Sequence, residues 1–392
     1  MKYVQRAMAP ALLAAARNFP AVIVTGPRRA GKTTLLRRLF PGAEFVLLED
    51  PAVVARVRAD PNGFLDDLRL PVVLDEIQNV PELFNYVRAR IDAAPRRTGQ
   101  WLFTGSQDAP LMKGVTESMA GRAAVLRLLP LSLREFPRAT AFKGGFPEAL
   151  ARPTAAGLWF SSYVQTYLER DVRAVSSIRD LATFRRFLAL VASRCGTMLN
   201  RTDLAAPLGV SVPTINEWLG ILEVTGQILL VPPYYENFGK RLVKSPKLYF
   251  VDSGLACHLL GIPSAAALRT SPFLGPIFEG FVASEILKDR ANRGGTPNLY
   301  YFRDERGLEV DFVVDQGNRK LALLEAKATR TPRPEMARGL AALSASIKGY
   351  EVRAGVVHEV SARPERSAAL RPGIRAVRID GLHRFLQGRS SR

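Results

Sequence analysis

Gly26-Pro27-Arg28-Arg29-Ala30-Gly31-Lys32-Thr33-Thr34 is the stretch that decides how the N-terminal part of this chain must fold. It fits G-x-x-x-x-G-K-[ST] without a gap, the pattern of a phosphate-binding loop. Before it, Ala21-Val22-Ile23-Val24-Thr25 is a short apolar, β-branched run of the kind that makes a buried parallel strand. After it, the segment Lys32 to Phe40 puts Leu35, Leu36 and Leu39 on one helical face and is ended by Pro41-Gly42. Strand, glycine loop and helix together aim backbone N–H groups and a helix N-terminus at a polyphosphate. In such a loop Lys32 reaches the β- and γ-phosphates of ATP, and the Thr33 hydroxyl ligates Mg²⁺. An ordinary glycine-rich turn leaves unexplained why Lys and Thr follow Gly31.

Working outward, Glu44 to Leu48 reads as a second strand, and Leu70-Pro71-Val72-Val73-Leu74-Asp75-Glu76 as an apolar run ending in two acids. That is the Walker B pattern. Asp75, at the carboxyl end of a buried strand, is expected to hold Mg²⁺ through water, and Glu76 to orient or deprotonate the attacking water. Glu82 to Ala93 reads as an amphipathic helix. Gln100-Trp101-Leu102-Phe103-Thr104 is a further strand, ending at Gly105-Ser106. A polar side chain there sits beside the γ-phosphate in additional-strand ATPases, which makes Ser106 a sensor candidate and equally a simple turn serine. Ala123 to Leu129 is the last apolar strand of this part. Strands alternating with helices imply an α/β fold with a parallel sheet and the nucleotide at its carboxyl edge.

The remaining composition narrows the setting. At 392 residues the chain exceeds one typical core, so two or three domains are expected. A formal charge of +19 invites a polyanionic partner, but the excess is spread along the chain and an Arg-rich solvated surface accounts for it equally. Cys195 and Cys257 make no disulfide framework, and His258, His358 and His383 show no zinc spacing. A reducing cytoplasm is the expected compartment. No apolar stretch approaches the roughly 18 residues of a membrane helix, and the opening MKYVQRAMAPALLAAA reads as a lead-in helix rather than a signal peptide.

Beyond the sheet, Trp159 to Leu190 is a helical block. Leu204 to Leu219 then gives a helix, a turn at Gly209, and a second helix capped by Ser211 with Pro213 early in it. This is a helix-turn-helix signature. Ile228 to Pro232 and Lys247 to Val251 are the expected strands of a wing, with Lys240, Arg241, Lys244 and Lys247 placed to grip DNA phosphates. Trp218, Leu219, Ile221 and Leu222 read as core, so DNA contact and protein docking both stand open. Further on, Leu308 to Val314 and Leu321 to Ala328 are two strands joined by Asp315-Gln316-Gly317-Asn318, a hairpin. Alternation sets Glu309 and Asp311 on one face of the first strand, and Glu325 and Lys327 on one face of the second. Two carboxylates can chelate Mg²⁺ while a nearby Lys assists the attacking water. The pattern resembles the PD-(D/E)XK nuclease core, with Asp311, Glu325 and Lys327 in the motif positions and Glu279 on the preceding helix. A solvated polar face is the alternative.

The ordered set of motifs carries a wider resemblance. Besides the phosphate loop, it comprises Leu74-Asp75-Glu76-Ile77-Gln78, Thr104-Gly105-Ser106, Ala120-Gly121-Arg122, Pro130 to Phe136 and Gly144-Gly145-Phe146-Pro147-Glu148. It continues through Tyr167 to Val172, Pro246 to Gly254, Glu279, Glu309-Val310-Asp311 and Glu325-Ala326-Lys327. Across nearly its whole length the chain resembles the prokaryotic AAA+-type ATP-binding proteins with a C-terminal domain of unknown function. The resemblance implies ATP binding and hydrolysis, and it offers Arg122 and Arg170 as arginines that could stabilise charge on the γ-phosphate, Arg170 being preferred. The expected architecture is a phosphate-loop ATPase domain over residues 1–155, a helical and winged-helix domain over 156–262, and a nuclease-like α/β domain over 263–392. The expected function couples MgATP turnover to nucleic-acid engagement, with metal-dependent cleavage open. A signalling or adaptor ATPase that binds a protein partner is the alternative, and either is compatible with a homo-oligomer.

Overall fold

The run Ala21–Thr25 does form a strand, β1, buried at every residue. Its side chains alternate between two cores. Ala21 and Ile23 join Leu74, Phe84, Val87 and Phe103 on one face, and Val22 and Val24 join Leu12, Leu35, Leu36 and Leu102 on the other. A strand covered on both faces gains from apolar side chains at every position, which is why the run is continuous rather than alternating. The computed structural model describes residues 3–105, 118–168, 181–234, 245–360 and 369–388. Its chain divides into two units. The first holds Met1–Leu131, Val224–Gln227 and Arg290–Thr296; the second holds Ser132–Glu223, Ile228–Asp289 and Pro297–Arg392.

In the first unit, β1 is joined by β2 (Glu44–Leu47), β3 (Val72–Asp75), β4 (Trp101–Thr104) and β5 (Ala123–Arg127). The order is β2-β3-β4-β1-β5, and every pair is parallel. The lead-in helix α1 is Ala9–Asn18, and the helix after the loop, α2, is Lys32–Leu39. Inserting β4 between β1 and β3 decides the chemistry. Pairing Val24 with Thr104 and Leu74 with Phe103 brings the end of β4 alongside the acids that close β3. This is a parallel-sheet, phosphate-loop NTPase-like fold.

In the second unit, helix Leu181–Ser193 and helix Val212–Val224 share a core around Phe184, Phe187 and Trp218. Between them lie the short helix Arg201–Ala205 and a turn in which Gly209 takes φ 64°. Ser211 Oγ accepts from the Thr214 N–H at 3.2 Å and caps the second helix. The strands β6 (Ile228–Val231) and β7 (Lys247–Phe250) follow as an antiparallel pair. A separate core surrounds the long helix Leu274–Ala291 and a six-stranded mixed sheet. That sheet runs β12-β13-β11-β10-β9-β8, with β8 Leu299–Arg303, β9 Glu309–Asp315, β10 Lys320–Lys327, β11 Glu351–His358, β12 Ala369–Arg371 and β13 Ile374–Arg378. The expected hairpin is β9–β10, and Asp315 Oδ1 accepts from the Gly317 N–H at 2.8 Å to fix its turn.

Two motifs that had no assigned chemistry, Gly144-Gly145 and Val251-Asp252-Ser253-Gly254, meet in this unit as a joint. Buried Asp252 accepts from the N–H groups of Gly145 (2.7 Å) and Leu255 (3.0 Å). A Cβ on Gly144 would lie 2.1 Å from Asp252 Oδ1, and one on Gly254 would lie 2.5 Å from the Lys143 carbonyl. Only glycine permits the chain to approach that closely. Among the described residues, no helix is long and apolar enough to cross a membrane.

Candidate functional site: the phosphate loop and the Walker B acids

The loop between β1 and α2 is shaped by its own backbone. Gly26 takes φ 136°, and a Cβ there would fall 2.0 Å from the Leu128 carbonyl oxygen. Gly31 takes φ 98° where the loop enters α2, and Arg29 is also left-handed at φ 61°. Lys32 is 4% exposed and donates to the Gly26 and Pro27 carbonyls at 3.0 and 3.1 Å. Its ammonium thus folds back over the loop that surrounds it. Pro27 and Ala30 are buried, while Arg28 leans toward Glu49, with Nη1 3.8 Å from its carboxylate.

The Walker B acids stand opposite. Thr33 Oγ1 donates to Asp75 at 2.9 and 3.1 Å from its two carboxylate oxygens. Thr104 donates its hydroxyl to Asp75 and accepts from the Glu76 N–H at 3.0 Å. Burial pushes the Asp75 carboxyl above its ordinary range, and the hydroxyl bonds from Thr104 and Thr33 oppose the shift. Glu76 is left-handed at φ 58°, and Gln78 donates to its carboxylate. A non-glycine residue held in that conformation marks a site where placement overrides backbone preference. The hydroxyl of Thr33 and the carboxylate of Asp75 form an oxygen pair suited to Mg²⁺, which prefers hard oxygen donors and keeps several waters.

Sequence reasoning missed two parts of this site. Arg6 is 5% exposed and donates to the Ala30 carbonyl at 2.7 Å and the Leu129 carbonyl at 2.6 Å. It ties the phosphate loop to the chain just beyond β5, over sequence separations of 24 and 123 residues. The available signal was an Arg set just before the apolar run from Ala7 to Ala16. Thr104 carried a signal too, a hydroxyl ending the strand beside the acids. Of the proposed γ-phosphate groups, Ser106 and Arg170 lie outside the described residues. Arg122 is held by Asp92 in a two-pronged pair at 2.6 and 2.9 Å.

The C-terminal acids are arranged differently from their expected metal-chelating form. Glu309 and Asp311 do share a face, but the ammonium of Lys247 lies among them. Its Nζ is 2.6 Å from Glu309 Oε1, 3.1 Å from Glu279 Oε1 and 3.5 Å from Asp311 Oδ1. Asp311 Oδ2 accepts from the Ala326 N–H at 2.9 Å, and Lys327 donates to Glu325 at 2.7 Å. Tyr249 also donates to Glu279. Among the described residues, no three His, Cys, Asp or Glu side chains are placed to hold a metal ion. Lys247, read from sequence as a wing cation facing DNA, is instead 3% exposed within an acid cluster. The reason is its position on β7, whose acidic partners lie far along the chain and leave no local signal. Lys240, Arg241 and Lys244, the other wing cations, lie outside the described residues.

Three families match successive parts of the chain. Residues 18–137 match the family described as AAA domain, residues 135–266 the domain of unknown function DUF8612, and residues 274–379 the domain of unknown function DUF4143. The uncharacterized proteins Rv2008c of Mycobacterium tuberculosis and Mb2031c of Mycobacterium bovis are each 34% identical over 337 residues, covering 84% of this chain and 75% of their own length. Among solved structures, the Walker-type ATPase PABY2304 of Pyrococcus abyssi aligns at TM-score 0.41 and 14% identity, over 64% of this chain and 94% of that one. A point variant of RuvB from Thermotoga maritima aligns at TM-score 0.31 and 18% identity, over 57% and 87%. With a curated relative at this identity and coverage, the chain belongs to the family of the mycobacterial pair, and it is itself an AAA-type ATPase with a C-terminal DUF4143 region.

Proposed function

We propose that the chain hydrolyses MgATP at the loop of residues 26–34 and couples turnover to nucleic-acid engagement by its second unit. The observation that carries the hydrolytic part is the contact of Thr33 and Thr104 with Asp75, with Glu76 bonded to the same Thr104. In this reading Lys32 leaves the Gly26 and Pro27 carbonyls and turns its ammonium to the β- and γ-phosphates, while the loop N–H groups hold the remaining oxygens. Thr33 would hold Mg²⁺ directly and Asp75 through water. Bound there, the ion neutralises charge on the phosphates. Glu76 orients the attacking water and takes its proton, and the Thr104 hydroxyl keeps Glu76 and Asp75 in register.

The coupling part rests on the charge of +19 and on the helix, glycine turn, helix and hairpin over residues 201–250. We retain the division into a phosphate-loop ATPase domain (1–155), a helical and winged-helix domain (156–262) and a nuclease-like domain (263–392). Of the three cores in the second unit, the one around Phe184, Phe187 and Trp218 draws mostly on the middle span, and the two against the six-stranded sheet draw mostly on the last, which supports it. One observation favours the second reading, an adaptor ATPase that binds a protein. The exposed positions of helix Val212–Val224 include Pro213, Asn216, Glu217 and Glu223 and no cation, an unfavourable surface for a DNA groove. The deciding experiment is ATP turnover with and without DNA across a salt series. Stimulation that fades steeply with salt supports nucleic acid. Turnover unaffected by DNA, with no salt-sensitive binding, transfers the coupling role to a protein partner. No turnover at all overturns the hydrolytic reading.

A further inference from the structure

The acid cluster of the second unit is built around a side chain that neither the family description nor the motif logic assigns. Lys247 reaches it from β7, Glu279 from the helix Leu274–Ala291, and Glu309 and Asp311 from β9. Three carboxylates within 3.5 Å of one ammonium surround it. Of the neighbouring groups, Asp311 Oδ2 takes the Ala326 N–H and Lys327 donates to Glu325 Oε1, while Glu325 Oε2 is buried without a hydrogen-bond partner. The strand bearing Lys247 is itself held in place. Chain leaving β6 pairs with β8, the Tyr234 N–H donating to the Tyr301 carbonyl at 2.8 Å and the Tyr301 N–H to the Pro232 carbonyl at 3.1 Å. Tyr301 also donates its hydroxyl to the Ser245 carbonyl, two residues before Lys247.

A divalent ion held by Asp311 and Glu279 would draw on the carboxylates that already surround this ammonium. Mg²⁺ binds carboxylate oxygens at about 2.0–2.1 Å, so a metal taking Asp311 and Glu279 would stand almost in contact with the ammonium. The two cations compete for one place, and the lysine is covalently present at every concentration of metal. We propose that Lys247 is a built-in counter-cation that fills the metal position of this site. The nuclease-like module is thereby a metal-independent binding module that does not cleave. The inference goes beyond the ATPase reading and does not depend on it.

The test uses the full chain and Mn²⁺ as the probe, read by electron paramagnetic resonance and by thermal unfolding without nucleotide. Because the Walker B acids could also take Mn²⁺, only binding that Asp311→Asn removes is counted. The expected result is no Asp311-dependent Mn²⁺ binding in the parent chain. Lys247→Ala is expected to gain such a site. Its Tm then rises with Mn²⁺ by more than the parent's does, and Lys247→Ala with Asp311→Asn loses the extra rise. Should Lys247→Ala fail to fold, Lys247→Met combined with Glu309→Gln removes one acid with the cation and serves in its place. Asp311-dependent Mn²⁺ binding by the parent chain overturns the proposal, as does a folded Lys247 variant that gains none.

Discussion

The two lysine-and-carboxylate sites of this chain use similar side chains to opposite ends. At the phosphate loop, buried Lys32 is held by two neutral carbonyls and buried Asp75 by two hydroxyls. Each charged group is satisfied by partners it can exchange for a phosphate or a metal at modest cost. In the acid cluster, Lys247 is held by carboxylates, and exchanging it would strand several negative charges in a buried place. A cation parked on carbonyls is in reserve, whereas one parked on carboxylates is committed. The partners, more than the residue types, separate a working site from a structural one.

The largest expected effect tests whether the first site works. Glu76→Gln should retain MgATP binding and lose about 10²–10⁴-fold in turnover, measured as steady-state hydrolysis alongside nucleotide affinity. Lys32→Ala should lose the binding itself. Turnover in Glu76→Gln equal to the parent's would remove the distinction drawn between the sites.

Next in size is the asymmetry in stability between the two lysines. Lys247→Ala leaves buried carboxylates without their cation and should cost about 3–5 kcal/mol in denaturant unfolding. Lys32→Ala releases two carbonyls and weakens one attraction to Asp75, which two hydroxyls still hold, so its cost should stay below about 2 kcal/mol. Equal costs would mean that Lys32 is as structural as Lys247.

Arg6 sharpens the picture on the loop side. Since it holds the phosphate loop at the Ala30 carbonyl, Arg6→Ala should raise KM for ATP about tenfold and change kcat less. Arg6→Lys, which can still donate to one carbonyl, should recover part of the loss. A fall in kcat with KM unchanged would place Arg6 in the chemistry instead.

The smallest effect is a pH dependence. Burial, reinforced by the Asp311 charge, raises the Glu279 and Glu325 carboxyls from an ordinary 4.5 to about 7. Between those values the folded state binds more protons than the unfolded one. Their contribution is therefore full below about 4.5 and is lost as pH rises toward 7. The second unit's Tm should be a few degrees higher near about pH 5.5 than near about pH 7.5, and Glu325→Gln should flatten that slope. An unchanged slope in the variant would show that Glu325 is not among the groups responsible.

What the sequence made legible follows the same line. Gly26 to Thr34 and Asp75-Glu76 are contiguous motifs on elements whose period is plain, so strand, loop, helix and acid-bearing strand could be placed from residues alone. The β9–β10 hairpin was equally plain, because Asp315 and Gly317 supply its turn locally. Arg6, Thr104 and Lys247 were not assigned to their sites, since each acts through partners that only the folded chain brings near. Alternation could put Glu309 and Asp311 on one face. It could not say that a lysine from a distant, earlier strand would occupy the space before them.

Gly26 bears on how altered copies of such a chain should be read. The Leu128 carbonyl lies where its Cβ would be, so glycine is demanded at this position by β5 and its exit, whether or not a nucleotide ever arrives. Lys32 faces no comparable demand from the fold. A descendant that gave up ATP would be free to drift at position 32 while still keeping glycine at 26. Retention of that glycine in a divergent sequence therefore testifies to an intact sheet edge, and only the lysine and the acids testify to a living enzyme.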